Sequence, residues 1–191
     1  MIVKMELLSD TIFGNGMSVP GAEDISVLCD EKGFPYYKGT TFKGVFREQL
    51  ELYLGWSGKT KAQIQDEVKR LLGVEGTEES GDKLIFSDFT LSECVKVEIE
   101  KAIGQSASDI KEVLTKLRTF TKISEDGAAQ KGSLRIARCV DQGLIFYSEI
   151  LCKKEDEKVV EEVLGTIKWI GSMRNRGFGK VRITVGKGEN A

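Results

Sequence analysis

The sequence contains no histidine among its 191 residues. This absence excludes Ser-His-Asp and Cys-His nucleophile systems, imidazole acid–base catalysis and any histidine-ligated metal, because each of them requires the imidazole ring. Chemistry on this chain would therefore have to use carboxylates, Lys, Tyr, or a hard cation such as magnesium held by carboxylates.

Cysteine is scarce and long apolar runs are absent. None of the four cysteines stands in CxxC spacing, which argues against a zinc site. We expect them to be small core residues rather than disulfides. No stretch approaches the roughly 18 apolar residues of a membrane span, and the N-terminus lacks a signal-like apolar run. The expectation is a cytoplasmic protein with no membrane partner. The cysteines are Cys29, Cys94, Cys139 and Cys152.

Positive charge is concentrated near the C-terminus, although the net charge is −2. No acid occurs between Glu162 and Glu189, and within this region lies the glycine-rich segment Gly171–Val181. Glycine allows a backbone to approach a ligand closely, and Arg and Lys suit phosphate oxygens. Two interpretations stay open: an RNA-binding loop, or an ordinary glycine-rich turn into an edge strand with solvated cations. The basic residues of the region are Lys168, Arg174, Arg176, Lys180, Arg182 and Lys187.

Three phosphate-site templates can be compared with this segment. It fails Walker A, because Val181 follows Gly179-Lys180, and it fails the dinucleotide fingerprint, because Arg182 replaces the third glycine. Residues 176–183 follow the RNP1 octamer of RNA-recognition domains in part, but Lys180 and Ile183 stand where that motif has stacking aromatics.

A second candidate anion site lies at the start of a predicted helix that begins near Lys38. Thr40 or Thr41 is expected to cap this helix, whose N-terminus carries a partial positive charge and orphan N–H groups. Lys38, Lys43 and Arg47 add formal charge. The alternative is a capped surface helix whose cations are merely solvated.

Hydrophobic periodicity predicts one α+β domain over residues 1–191, with an antiparallel, ferredoxin-like sheet covered on one face by two helices. A projecting hairpin is expected at 20–38 and insertions at 56–83 and 92–130, with an acidic loop at 75–82. Residues 92–103 are ambiguous between helix and strand, and helix is favoured. Further elements are a strand at 2–8, a helix at 61–72, a strand at 84–89, a helix from 106 with Leu117 on its apolar face, a hairpin pairing 134–140 with 144–151, a helix at 155–170 and a strand at 181–185.

Three stretches, Gly33–Arg47, Thr121–Arg135 and Gly171–Val181, together resemble the RAMP superfamily. The similarity is specifically to the repeated backbone subunit of type III CRISPR effector complexes. It implies a protein that binds CRISPR RNA, meets complementary target RNA, and assembles with copies of itself or related subunits. The RNA-binding residues that the resemblance implies are Lys38, Thr40, Thr41, Lys43, Arg47, Lys131, Arg135, Arg174, Arg176, Gly177, Gly179 and Lys180.

The resemblance also implies a thumb at 20–38 and a metal-dependent endoribonuclease activity. Asp24 stands where catalytic members carry an aspartate that cuts target RNA with a divalent cation, here expected to be Mg²⁺; Glu23 is the less favoured acid. We expect Asp24 to lie on a hairpin separate from the glycine-rich loop. Two alternatives stay open: a non-catalytic RNA-binding subunit of the same complex, and a small ferredoxin-like protein that binds an anionic metabolite.

Overall fold

The computed structural model describes residues 1–14, 16, 18, 23–74, 83–124, 126–130 and 132–186. The predicted acidic loop at 75–82 and the first residues of the predicted thumb lie outside this part of the chain. Seven strands and five α-helices are assigned within it. In chain order they are β1 Ile2–Leu7, α1 Gly39–Trp56, α2 Lys61–Leu72, β2 Ile85–Phe86, β3 Thr90–Leu91, α3 Glu93–Ile103, α4 Ala107–Leu114, β4 Thr115–Phe120, β5 Arg135–Val140, β6 Ile145–Leu151, α5 Glu157–Thr166 and β7 Val181–Gly186.

The main sheet has the strand order β2-β6-β1-β7, and β3 also pairs with β6. Every pairing in it is antiparallel. Because α1 follows β1 and α5 follows β6, this order corresponds to the split β-α-β arrangement. The predicted α+β class with antiparallel sheets is therefore confirmed, and so are the helices at 61–72 and within 92–103.

Alternation and helical spacing explain why the core forms between this sheet and the helices. In β1 every second residue is buried, including Val3 and Met5. On α1, Phe42, Phe46 and Leu50 recur every fourth residue and are fully buried. Each such side chain contributes about 1.5–3 kcal/mol through burial.

The start of α1 is capped differently from the prediction. Thr40 and Thr41 both lie inside the first turn, and the N-cap residue is Lys38, whose side chain makes no capping hydrogen bond. Instead the backbone N–H of Gly39 donates to the carboxylate of Asp88 at 2.8 Å. The threonine prediction was wrong because an acid distant in sequence supplies the acceptor.

A second, two-stranded sheet joins β4 to β5. This corrects two predictions: residues 135–140 pair with β4 rather than with 144–151, and Leu117 lies in β4 rather than on a helix. The turn at 141–143 does reverse the chain, but it connects two different sheets. Val140 N–H donates to the Thr11 carbonyl, whereas Gly143 N–H donates to the Leu7 carbonyl.

Asp10 connects this second sheet to the main body. Its carboxylate accepts a hydrogen bond from Arg118 at 2.7 Å and lies 2.9 Å from the Lys116 amine. Burial raises the pKa of Asp10, but the hydrogen bonds from Arg118, Lys116 and the backbone of Gln142 outweigh burial and hold that pKa below its ordinary value.

The segment from 23 to 37 packs against the body and does not project. Ile25 pairs in parallel with Ala137, and a short turn brings Cys29 opposite Pro35. Phe34 and Tyr37 are buried in the main core. The predicted hairpin turn is present, since Asp30 N–H donates to the Phe34 carbonyl and Tyr36 N–H to the Leu28 carbonyl. Its projection was wrong for these residues, because their apolar side chains are buried in the core.

Several smaller differences follow from local packing. Helix α5 ends at Thr166, and Trp169 then pairs with Lys180 in a short ladder. The expected strand at 84–89 is shortened to β2 at 85–86, and Phe89 forms a separate bridge with Tyr37. All four cysteines are unpaired; Cys139 is buried as expected, but Cys94 is exposed. Within the described residues, no helix is long and apolar enough to span a membrane.

Candidate nucleic-acid interface

Residues 171–179 form what we call the glycine arch, whose two ends require glycine. Gly171 and Gly179 have φ of 70° and 78°, where a side chain is strained. A Cβ atom on Gly179 would lie 1.9 Å from the Ile170 carbonyl oxygen, and one on Gly171 would lie 2.5 Å from the Ile12 carbonyl oxygen. Gly179, predicted to touch RNA, is buried and donates its N–H to the Asp10 carbonyl. Gly179 therefore anchors the end of the arch to the segment around Asp10.

The middle of the arch presents polar side chains to solvent. Arg174–Arg176 form a single 3₁₀ turn between Met173 and Gly177, both in the left-handed region. All three residues of the turn are exposed. The backbone thus turns tightly and directs two guanidinium groups and an amide outward.

The arch borders an open cavity of about 830 Å³, which we call the arginine groove. Arg174 and Arg176 come from the arch, and Arg135 comes from the start of β5. The guanidinium of Arg176 lies 6.0 Å from the ring centre of Phe120, a cation–π distance. Three guanidinium groups around one cavity suit the oxygens of phosphates. The lining residues are Asp24, Ile25, Arg135, Gly171, Ser172, Met173, Arg174, Asn175 and Arg176.

Asp24 lies in this same groove, so its placement on a separate hairpin was wrong. Its backbone N–H donates to the Ile136 carbonyl, and the Ile136 N–H donates to the Asp24 carboxylate at 2.7 Å. The other carboxylate oxygen lies 3.7 Å from the Arg135 guanidinium, and the side chain is 42% exposed. Asp24 is therefore accessible while one of its oxygens fixes the start of β5.

Glu23, the alternative acid, has a different environment. It is buried, and both carboxylate oxygens accept hydrogen bonds from Arg138, at 3.0 and 3.1 Å. The Lys111 amine also lies 3.4 Å from the Glu23 carboxylate. Glu23 does not line the arginine groove, and its contacts serve to hold α4 and β5 together.

Asp24 provides only part of a metal site. Among the residues that the structure describes, no group of three or more acids or cysteines is arranged to hold a metal ion. Mg²⁺ is commonly bound by one or two carboxylates, with substrate phosphates and water completing the octahedron. The single carboxylate of Asp24 fits that pattern only if RNA supplies the remaining oxygens.

The start of α1 lies beside the arch. Lys38 and Thr41 line a smaller cavity of about 290 Å³. Burial raises the pKa of Tyr37, and the nearby backbone of Gly171 partly offsets that rise. On the next turns of α1, the Glu48 carboxylate lies 3.8 Å from the Arg174 guanidinium. These contacts place α1 next to the arch, although the cavity at the start of α1 and the arginine groove share no lining residue.

Lys43 and Arg47 lie on the opposite flank of α1, toward the end of α2. Arg47 donates to the Gly73 carbonyl at 3.3 Å. Burial lowers the pKa of Lys43, and the nearby charges of Arg47 and Lys83 lower it further. At 100° per residue these side chains diverge from Glu48, which contacts the arch, and neither of them lines the arginine groove.

The remaining predicted residues are distributed around the arch. Thr40 is exposed in the first turn of α1, and Gly177 is exposed at the end of the 3₁₀ turn. Lys180 is exposed in the ladder opposite Trp169, and its backbone N–H donates to Ser9. Lys131 lies outside the described residues.

Two aromatic residues beside the arch were missed. Phe120 reaches Arg176 through the pairing of β4 with β5, which local periodicity does not reveal. Trp169 borders a third cavity, of about 520 Å³, which we call the tryptophan pocket. An aromatic two residues before a glycine- and arginine-rich segment was the available signal for it.

Comparison with known proteins identifies the family. The profile of the RAMP superfamily matches residues 4–182. A chain from a type III-B Cmr-β complex bound to cognate target RNA superimposes with a TM-score of 0.69 at 13% identity, covering 95% of both chains. A chain from the apo state of type III-B Cmr-β gives a TM-score of 0.69 at 15% identity, covering 96% of this chain and 95% of that one. No curated protein sequence matches. The family match spans nearly the whole chain, and the protein therefore belongs to the RAMP superfamily.

Proposed function

We propose that the chain is an RNA-binding backbone subunit of a type III CRISPR effector complex, and that it holds CRISPR RNA in the arginine groove. The observation that carries the proposal is the convergence of Arg135, Arg174 and Arg176 on one open cavity. Its family, together with the target RNA bound in the Cmr-β complex whose chain it resembles, supports the same reading. Partners would be CRISPR RNA, complementary target RNA and further RAMP subunits.

The expected mode of binding is recognition of the RNA backbone rather than of sequence. Guanidinium groups on phosphate oxygens position a strand but carry no sequence information. Target selection would then come from base pairing with the guide, as in other RNA-guided systems.

A salt titration distinguishes RNA binding from the alternative that the chain binds an anionic metabolite. In filter binding of single-stranded RNA to the full-length chain, log affinity should fall with log salt by about 0.7 per phosphate neutralised. Binding that does not respond to salt, or an absence of RNA binding, would favour the metabolite reading.

Cleavage of target RNA is the second function, and Asp24 is the candidate for it. Its favourable feature is an exposed carboxylate in the same groove as the arginines. With Mg²⁺ held between that carboxylate and the RNA, the cation would supply charge stabilisation at the scissile phosphate.

Asp24→Asn tests this role cleanly, because an amide oxygen can still accept the hydrogen bond from Ile136. In an assembled complex we expect the variant to bind target RNA normally but to lose magnesium-dependent cutting at this subunit. Asp30→Asn is the control, since Asp30 instead accepts from Lys32 and Phe34 in a turn. Cutting that persists in Asp24→Asn would show that Asp24 is not the catalytic residue. An unaltered complex that does not cut target RNA at this subunit would identify a non-catalytic subunit.

A further inference from the structure

We infer that Trp169 is a stacking platform for one nucleobase of the RNA that the arginine groove holds. The inference rests on the proposed function and adds to it a base-binding subsite, the tryptophan pocket. Base–aromatic stacking is the usual way in which proteins hold single strands without reading their sequence.

The tryptophan pocket adjoins the arginine groove. Arg174 and Asn175 line both cavities, so the 3₁₀ turn forms a ridge between them. A strand whose phosphates contact Arg174 and Arg176 can therefore direct the neighbouring base over the ridge. The pocket, at about 520 Å³, is within the size range of small-ligand sites. Its lining residues are Gln49, Thr166, Lys168, Trp169, Arg174 and Asn175.

The backbone around Trp169 is fixed while its indole is accessible. Ile170 N–H donates to the Gly179 carbonyl at 2.8 Å, and Val181 N–H donates to the Lys168 carbonyl at 2.9 Å. Trp169 is nevertheless 38% exposed, whereas its neighbour Ile170 is fully buried. An aromatic face held in place before binding loses little conformational entropy when a base stacks on it.

The polar groups of the pocket suit a nucleobase attached to a phosphate. No acid is among its lining residues. The Thr166 hydroxyl donates its one proton to the Val163 carbonyl at 2.6 Å and lies 3.3 Å from the Gln49 side-chain amide, so that amide adds hydrogen-bonding capacity to the pocket wall. Arg174 adds positive charge, although Glu48 lies 3.8 Å from it on the α1 side.

Fluorescence provides a direct test, because the chain has only two tryptophans. Trp56, which is 73% exposed, is replaced in Trp56→Phe so that Trp169 is the sole reporter. A short oligoadenylate should quench the emission of this full-length variant. An abasic oligonucleotide of equal length should bind through its phosphates with little quenching.

Binding of the same two ligands to Trp169 variants completes the test. Trp169→Ala should weaken oligoadenylate binding about tenfold and leave the abasic strand unaffected, whereas Trp169→Phe should retain most of the affinity. Thermal unfolding of both variants checks that the fold is kept.

The two proposals fail in distinguishable ways. Equal quenching by both ligands would overturn the stacking platform alone. So would oligoadenylate binding that is unchanged in Trp169→Ala but weakened in Arg176→Ala. If the unaltered chain binds neither strand, the RNA-binding function is overturned and the subsite with it. Protein rather than RNA would then be the candidate occupant of the pocket.

Discussion

At the scale of single residues, Glu48 would compete with the proposed RNA ligand for Arg174. The two side chains are 3.8 Å apart, and both are substantially exposed. Exposed ion pairs of this kind contribute only about 0.2–1 kcal/mol. A phosphate can therefore displace Glu48, but it does so against that attraction and against the repulsion between two anions.

Glu48→Gln should consequently tighten binding of single-stranded RNA, by about two- to fivefold at low salt. Filter binding at increasing salt should show the advantage fading as the charges are screened. Glu51→Gln removes an exposed acid from the same helix outside the grooves and serves as the control. An equal gain in both variants would mean that only the net charge matters.

The sequence identified the basic residues by their charge, but it did not show in which direction their side chains extend. Arg174 and Arg176 were found because glycine and arginine cluster within a few positions. Lys43 and Arg47 were grouped with them, although helix geometry directs these two toward Gly73 and Lys83. These directions became evident only from the structure, which shows which residues lie against each side of α1.

At the scale of elements, the glycine arch depends on its fixed ends more than on its exposed middle. Gly177 and Gly179 both have positive φ, yet their surroundings differ. A Cβ on Gly177 would meet nothing within 4 Å, whereas one on Gly179 would overlap the Ile170 carbonyl at 1.9 Å.

The two glycines therefore form a matched pair for measuring stability. Gly177→Ala should lower the free energy of unfolding by about 1–2 kcal/mol, the cost of a left-handed alanine. Gly179→Ala should cost clearly more, because the Ile170 backbone must also move. Chemical denaturation of both variants gives the comparison, and similar losses would show that the tight packing around Gly179 is not required.

Elements with strong periodicity could be predicted, and those defined by distant partners could not. Helix α2 has a capping box formed by Thr60 and Gln63, both visible in the sequence. Strand β5, by contrast, has the alternation of a strand but gives no local sign that β4 is its partner. Nothing local indicated that residues 23–37 would pack inward and place Asp24 beside the arch.

At the scale of the whole molecule, a chain with net charge −2 presents a locally basic groove. Three separate parts of the sequence contribute to it: the segment around Asp24, the start of β5 and the glycine arch. The ferredoxin-like order was predictable because it follows from helices alternating with strands. The groove was not, because it forms where the second sheet meets the arch.

The most direct test of the groove compares two arginines in the salt titration of RNA binding. Arg176 lines the groove, whereas Arg182 lies on β7 and pairs with Glu6 at 3.1 Å. Arg176→Ala should weaken RNA binding and reduce the log–log salt slope by about 0.7, the value for one phosphate contact on a single strand. Arg182→Ala should leave both quantities close to those of the unaltered chain. Equal losses in the two variants, or an unchanged slope in Arg176→Ala, would contradict an RNA path through the arginine groove.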